Sequence, residues 1–357
     1  MKDKIISCVF LLIIFVFFIL NIVVKDKEIS YSERRYLNKL PEINIQNVFN
    51  GKISDEFENY ITDNFILRDI FRKIKTNIQL NMLHKLDYND LYIKDDFIFK
   101  IEYPLNENKV LDFTYKINKI YETYLKDMNV YYSIIPDKNY YSNDNYLKLD
   151  YDKLIEIVNK NIKEMKYIDI TDTLNLNNYY YTDIHWKQET LYNTIKKLSE
   201  SMNFKITNNY EEKTYYPFYG SYYGQLGLSS KKDVIKYLIN DTIINADVKD
   251  IESNLTTIYE ESSLGKIDSY DVFLGGATPI IEINNNKSEN NKELIIFRDS
   301  FGSSIAPLLL EGYKKITLID LRYISSSILE EYINFENQDV LFLYNTTIIN
   351  QSDLIKA

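Results

Sequence analysis

The sequence predicts an α/β protein: a parallel sheet covered by helices, with an N-terminal transmembrane anchor and a β or loop insertion. Three observations predict it. First, short apolar runs alternate with stretches of three- and four-residue apolar period; the clearest runs are VYYSIIP (Val130–Pro136), ELIIF (Glu293–Phe297), KITLID (Lys315–Asp320) and VLFLYN (Val340–Asn345). Strands buried on both faces read as continuous apolar segments, and the helices between them supply the crossovers of a parallel sheet. Second, Ile5–Val24 is a charge-free run of 20 residues, the length that spans a hydrocarbon core. Third, the rhythm lapses from about 204 to 291, where Gly220, Gly224, Gly227, Gly275 and Gly276 fall.

In chain order, residues 1–27 form a cytoplasmic tip and the anchor. Lys2 and Lys4 precede the apolar run and no small-residue cleavage site follows it. That pattern predicts an uncleaved signal anchor with the body of the protein outside the cell membrane. Cys8 does not fit a lipidation signal, because the apolar run follows it instead of preceding it. Residues 28–85 read as a charged juxtamembrane stalk and an amphipathic helix. Phe57, Ile61, Phe65, Phe71, Ile74 and Ile78 recur at mostly three- and four-residue steps, with a break expected near Asn64. Residues 86–357 hold the α/β domain. LYIKDDFIFKI (Leu91–Ile101) predicts a hairpin turning at Lys94–Asp96. Helices are predicted over 108–128, DKLIEIVNKNIKEMK, 187–202, SSIAPLLLEG and ISSSILEEYINF, and YIDI (Tyr167–Ile170) is one more strand. Pro307 inside the fourth of these helices predicts a kink or a later start.

Composition excludes several classes. The 42 basic and 52 acidic residues leave a net charge of -10 with no Lys/Arg block, so nucleic acid is not the expected partner. One cysteine precludes a disulfide within the chain, and two histidines make a His- or Cys-based metal cluster unexpected. No metal and no cofactor is expected.

Ligands of open α/β sheets collect beyond the carboxyl ends of the strands. Arg298, Asp299, Ser300 and Gly302 follow one predicted strand, Asp320 and Arg322 another; Asn345 ends a third, and Asp137 and Lys138 follow a fourth. Ser300 sits at a strand-to-helix junction. It reads either as an N-cap or as a nucleophile, with helix-start N–H groups near Gly302 available to a developing oxyanion. A nucleophilic serine needs a base. His84 lies on the amphipathic helix, whereas His185 lies in TDIHW, two residues after Asp183. In an extended segment i and i+2 share a face, so Asp183 is placed to orient His185. The alternative is that Thr182 or Asp183 merely caps the next helix. Arg322 and Lys138 either contact an anionic glycan or acyl carrier, or pair with Asp320 and Asp137. Trp186 either stacks on a sugar or packs under His185.

TDIHW (Thr182–Trp186) followed by FRDSFGSS resembles the DHHW family of bacterial envelope proteins, related to the SGNH hydrolase-like domains of alginate O-acetyltransferase accessory proteins. ERRYLNKLP, FENYITDNFILRDIF, PDKN and GSYYG are similar to that family's pattern in the same order. Position 184 is Ile where the family name has a first histidine, and Arg298 stands where a Gly-Asp-Ser block has glycine. The resemblance implies an SGNH-like fold and a Ser300–His185–Asp183 triad, with Thr182 and Trp186 in support. Asn345 and Arg298 are further candidates around the oxyanion. It implies acetyl transfer to an extracytoplasmic polysaccharide through an acetyl-serine, with the acetyl group delivered by a membrane-bound O-acyltransferase partner. An esterase with the same triad, or a non-catalytic envelope scaffold or glycan-binding protein, are the competing readings.

Overall fold

The structure, a computed structural model, describes residues 2–31, 33–143, 146–228 and 231–357. Two compact units divide it: residues 1–89 with 223–229, and residues 90–222 with 230–357.

In the first unit, α1 (Lys2–Val23) contains the apolar run up to Val23; it is the one described helix long and apolar enough to cross a membrane. A two-stranded ladder, β1 (Ile29–Ser30) with β2 (Arg35–Tyr36), leads to α2 (Ile45–Phe49), α3 (Lys52–Asn64) and α4 (Arg68–Asn77). The break expected near Asn64 is present: Leu67 adopts φ 61, and the helix restarts at Arg68. Buried Asp63 accepts from Arg35 at 2.8 and 2.5 Å, and Arg68 and Arg72 reach Glu33 at 2.7 and 3.0 Å.

The second unit opens with the expected hairpin, β3 (Leu91–Lys94) against β4 (Phe97–Lys100). The central sheet uses β5 (Asn129–Ile135), β6 (Lys166–Tyr167), β9 (Asp247–Asp250), β10 (Ile280–Asn284), β11 (Glu293–Arg298), β12 (Lys315–Ile319) and β13 (Asp339–Asn345). A separate hairpin pairs β7 (Glu211–Phe218) with β8 (Asp233–Ile239). Strand order in the seven-stranded sheet is β6-β5-β13-β11-β12-β10-β9. The first five run parallel; β10 pairs antiparallel with β12, and β9 pairs antiparallel with β10. The sheet is therefore mixed, not wholly parallel. The stretch expected to be an insertion supplies its antiparallel edge, a common addition to a parallel core.

Helices α5 (Glu107–Ile120), α6 (Tyr151–Asn161), α7 (Tyr192–Met202), α8 (Phe301–Leu309) and α9 (Thr346–Asn350) belong to this unit, with a short turn of helix at Asp241–Ile244. Period-two alternation divides the strand side chains between two apolar layers. Ile296, Leu341 and Leu343 pack with α7 and α8 residues such as Leu198 and Ile305. Ile295, Phe297, Val340 and Phe342 pack with α5 and α6 residues such as Phe113 and Leu154. That alternation explains why the strands read as unbroken apolar runs.

Three local expectations differ from what is observed. Of YIDI only Tyr167 pairs, next to Lys166 in β6, because Asp169 accepts from the Thr171 N–H and hydroxyl and turns the chain. ISSSILEEYINF forms a 3-10 turn over Ser326–Glu331; the Ser325 hydroxyl bonds the Ser327 N–H and hydroxyl, local bonds that compete with an α-helix. Pro307 neither delays the start of α8 nor ends it, and the helix runs on to Leu309.

Candidate active site

The carboxyl ends of β5, β11, β12 and β13 form one rim, as parallel strands require. Ser300 lies two residues after the end of β11 with helical φ -61 and ψ -23, in the N-cap position of α8, yet its hydroxyl makes no cap bond. Asp299 does that work instead. One of its oxygens accepts from the Phe301 N–H at 3.0 Å, and the other from the Asn345 N–H at 2.7 Å. Burial raises the Asp299 carboxyl above its ordinary range. The Ser300 hydroxyl is left free to meet another side chain.

That side chain is His185. Its Nε2 lies 2.7 Å from Ser300 Oγ, and its Nδ1 lies 2.5 Å from Asp183 Oδ1. Asp183 is fully buried and His185 is 7% exposed. The Asp183 carboxylate also accepts from the His185 N–H at 3.1 Å and the Ser221 N–H at 2.7 Å. A carboxylate facing Nδ1 selects the tautomer with the proton there, which leaves Nε2 to accept from the Ser300 hydroxyl. Ser300, His185 and Asp183 are thus brought into one chain of hydrogen bonds. His84 belongs to the first unit.

The Asp183–His185 loop is held by residues from several distant segments. Thr182 Oγ1 donates to Asp233 at 2.6 Å and accepts from the Gly220 N–H at 2.9 Å. Asp233 also accepts the N–H groups of Tyr181 and Thr182, at 2.8 and 2.7 Å. Gly220 is obligatory: a Cβ there would overlap Asp183 Cβ and the Thr182–Asp183 backbone. Trp186 is fully buried and donates to Ser304 Oγ at 2.8 Å and the Phe301 carbonyl at 3.2 Å. It is a brace between this loop and α8, not a surface for a sugar. Tyr270 stacks on the His185 ring, with centroids 3.8 Å apart and planes 7° from parallel, and donates to Ser304 Oγ at 2.9 Å.

Four rim residues do something other than the sequence suggested. Lys138 is 2% exposed, among the rings of Phe97, Phe99 and Tyr222. It donates to the carbonyls of Tyr180, Tyr181 and Asp183 at 3.0, 3.3 and 2.8 Å. Burial pulls its pKa down to about 7. Lys138 therefore fastens the loop and presents no charge to a glycan. The Gly302 N–H is committed to the Asp299 carbonyl at 3.0 Å. The glycine instead makes room for Arg298, whose Cβ would lie 2.6 Å from a Cβ at 302. Arg298 is 1% exposed and leans toward Asp320 at 3.4 Å, and among the described residues its Nε and Nη2 have no hydrogen-bond partner. Asn345 is 1% exposed; it caps α9 through Thr347 and donates to the Ile135 carbonyl at 3.1 Å. Arg322 pairs with Asp320 at 2.9 and 2.6 Å, the pairing alternative.

Asp233, Tyr270 and the function of Gly220 escaped sequence reasoning. All three lie in the stretch from about 204 to 291, where no periodicity marks an element. The one available signal was Gly220 within GSYYG.

Comparison with known proteins agrees with this fold. A DHHW family protein from Eubacterium siraeum superposes with a TM-score of 0.61 at 20% identity, over 75% of this chain and 94% of that one. PatB1 of Bacillus cereus superposes with a TM-score of 0.59 at 16% identity, over 72% and 96%. A second PatB1 structure, carrying a sulfonyl adduct, gives 0.57 at 17% identity, over 72% and 97%. No family profile and no curated protein matches the chain. The α/β architecture expected from the sequence, a largely parallel sheet covered by helices, is the fold observed, and it is shared with these proteins.

Proposed function

We propose that this chain is a membrane-anchored, extracytoplasmic O-acetyltransferase that modifies a cell-envelope or secreted polysaccharide through an acetyl-serine. The observation that carries the reading is the continuous Asp183–His185–Ser300 hydrogen-bonded chain, with Ser300 capping nothing. In the first half-reaction Ser300 Oγ attacks the carbonyl carbon of an acetyl ester while His185 Nε2 takes the hydroxyl proton. Among the described residues the Ser300 N–H has no acceptor, which leaves it free to donate to the developing oxyanion. The tetrahedral intermediate collapses, the donor's alkoxide leaves with the proton from Nε2, and acetyl-Ser300 remains. In the second half-reaction a sugar hydroxyl attacks that ester, His185 accepts its proton, and Ser300 leaves with the proton restored. Asp183 holds the tautomer and stabilises the imidazolium in both. Stacked Tyr270 keeps the ring in plane.

The motif resemblance supports transfer to a polysaccharide, and α1 supports a position at the membrane. A membrane-bound O-acyltransferase is the proposed acetyl source. The full chain should form an adduct on Ser300 with a serine-reactive sulfonyl fluoride, read by peptide mass. Absence of an adduct, or equal labelling of Ser300→Ala, overturns the catalytic reading. Incubation with a chromogenic acetate and an oligosaccharide then distinguishes the reactions: acetylated sugar supports transfer, and hydrolysis alone assigns an esterase.

A further inference from the structure

The first unit builds α4 inside out. Arg68, Arg72 and Thr76 recur at four-residue steps and face the protein: Arg68 and Arg72 bond Glu33, Arg72 donates to the Gly224 carbonyl at 2.6 Å, and Thr76 donates to the Leu226 carbonyl at 2.7 Å. Ile70, Phe71, Ile74 and Ile78 recur on the opposite side and are 50, 45, 48 and 40% exposed. A helix in a water-soluble domain turns its apolar stripe inward. Here the ion pairs are inside and the apolar stripe faces out. The same holds for α3, where Asp63 points in while Phe57 and Ile61 are 47 and 44% exposed.

This outward face is continuous with α1. Phe17 stacks on Phe65 with centroids 5.9 Å apart and meets Phe71 at 6.1 Å. Phe17 is seven residues before Val24, which places it ~10 Å inside the end of the apolar run at the α-helical rise. Asn21 is the one amide in that charge-free stretch, and its side chain bonds the elbow. Its Oδ1 accepts from the Ile66 N–H at 2.9 Å, and its Nδ2 donates to the Phe17 carbonyl at 2.7 Å. Ile66 lies in the break between α3 and α4, where a backbone N–H has no helical partner and would be bare in hydrocarbon. Polar bonds gather toward the end of α1 instead: Tyr60 donates to Asp26 at 2.8 Å, and Lys27 lies 3.9 Å from Asp69. Between α1 and α3 runs an apolar groove of about 1180 Å³ lined by Ile13, Phe17, Phe57, Ile61 and Phe65.

We infer that the α3–α4 elbow is embedded in the lipid bilayer beside the anchor, with Phe65 and Phe71 at the depth of Phe17 and acyl chains filling the groove. This rests on the reading of α1 as a membrane span. The depth matches that of interfacial helices, which sit roughly 5–10 Å into the headgroup and acyl boundary. The elbow is a second attachment, and it fixes how the first unit lies against the membrane.

The test uses the full chain in phospholipid vesicles. Single cysteines are introduced by Phe10→Cys, Ile61→Cys, Lys73→Cys and Ile74→Cys in a Cys8→Ala background and spin-labelled. Each label's collision rate with lipid-soluble oxygen is compared with that for a water-soluble nickel chelate. The labels at 61 and 74 are expected to favour oxygen, like the anchor control at 10, and the label at 73 to favour nickel. If the label at 10 favours oxygen but those at 61 and 74 favour nickel, the embedded elbow is overturned and the anchor stands. Labels at 61 and 74 shielded from both reagents overturn it in favour of a protein partner or second copy on this face. A label at 10 that favours nickel overturns the anchor and the elbow together.

Discussion

The loop carrying Asp183 and His185 and the rim carrying Ser300 meet in one hydrogen-bonded chain, yet they are held in opposite ways. The loop is over-determined: Lys138 takes three of its carbonyls, Asp233 takes two N–H groups and a hydroxyl, and Trp186 ties it to α8. At the rim, among the described residues, the Nε and Nη2 of Arg298 have no hydrogen-bond partner, and the Ser300 hydroxyl bonds His185 but caps no helix. A base that moves protons in both half-reactions must return to one orientation. A nucleophile must be free to bond a substrate, so Asp299 relieves Ser300 of capping. Removing the Ser300 hydroxyl at the rim should therefore cost activity but not stability, and substitutions of the groups that restrain the loop should cost both.

The largest separation is expected from Ser300→Ala. Loss of the nucleophile should lower turnover on the order of 10⁴-fold or more. The hydroxyl supports no helix cap, so the urea midpoint should move by no more than ~0.5 kcal/mol equivalent. A fall in both activity and midpoint would place Ser300 among the structural residues and dissolve the contrast.

Gly220→Ala tests the other side. The added methyl has nowhere to go except into Asp183 and the Thr182 backbone. We expect a destabilisation of ~3 kcal/mol or more, the range reached by overpacking a buried contact. Surviving folded protein should be nearly inactive, because displacing Asp183 also displaces His185. A stable variant with unchanged turnover would mean that the loop is slack.

This contrast explains what could be read beforehand. Asp183 and His185 are two residues apart, so their pairing is local and follows from strand geometry. Ser300 follows from an apolar run ending at a polar rim, a property of the parallel sheet. The restraints on the loop are nonlocal. Asp233 acts on Thr182 from 51 positions away, and Tyr270 is one tyrosine among 33. Lys138 was correctly placed on the rim, but its burial depends on aromatic residues of the β3–β4 hairpin and on Tyr222. No local pattern reports such an environment. The antiparallel edge was hidden for a related reason: β9 and β10 are short and lie in a stretch without repeat.

The smallest predicted effect comes from a flaw in the well-held loop. Glu189 sits in the 3-10 turn after Trp186, and among the described residues its buried Oε2 has no hydrogen-bond partner. Burial raises its pKa to about 7, against the pull of Lys187 and Lys236. The folded state therefore holds the proton more tightly than the unfolded chain does. The stabilisation linked to that proton is complete below the ordinary carboxyl range and is lost as pH rises through about 7. A shift of this size corresponds to ~3 kcal/mol at most, reduced to ~1–2 kcal/mol because the side chain is partly open to solvent. Glu189→Gln keeps the shape and cannot ionise. It should match the wild type in urea unfolding at pH 4 and exceed it by ~1–2 kcal/mol at pH 8. Turnover should be little changed, because Glu189 lies outside the proton path. Equal stability at pH 8 would show that water already satisfies the carboxylate, and that the loop has no unpaired member.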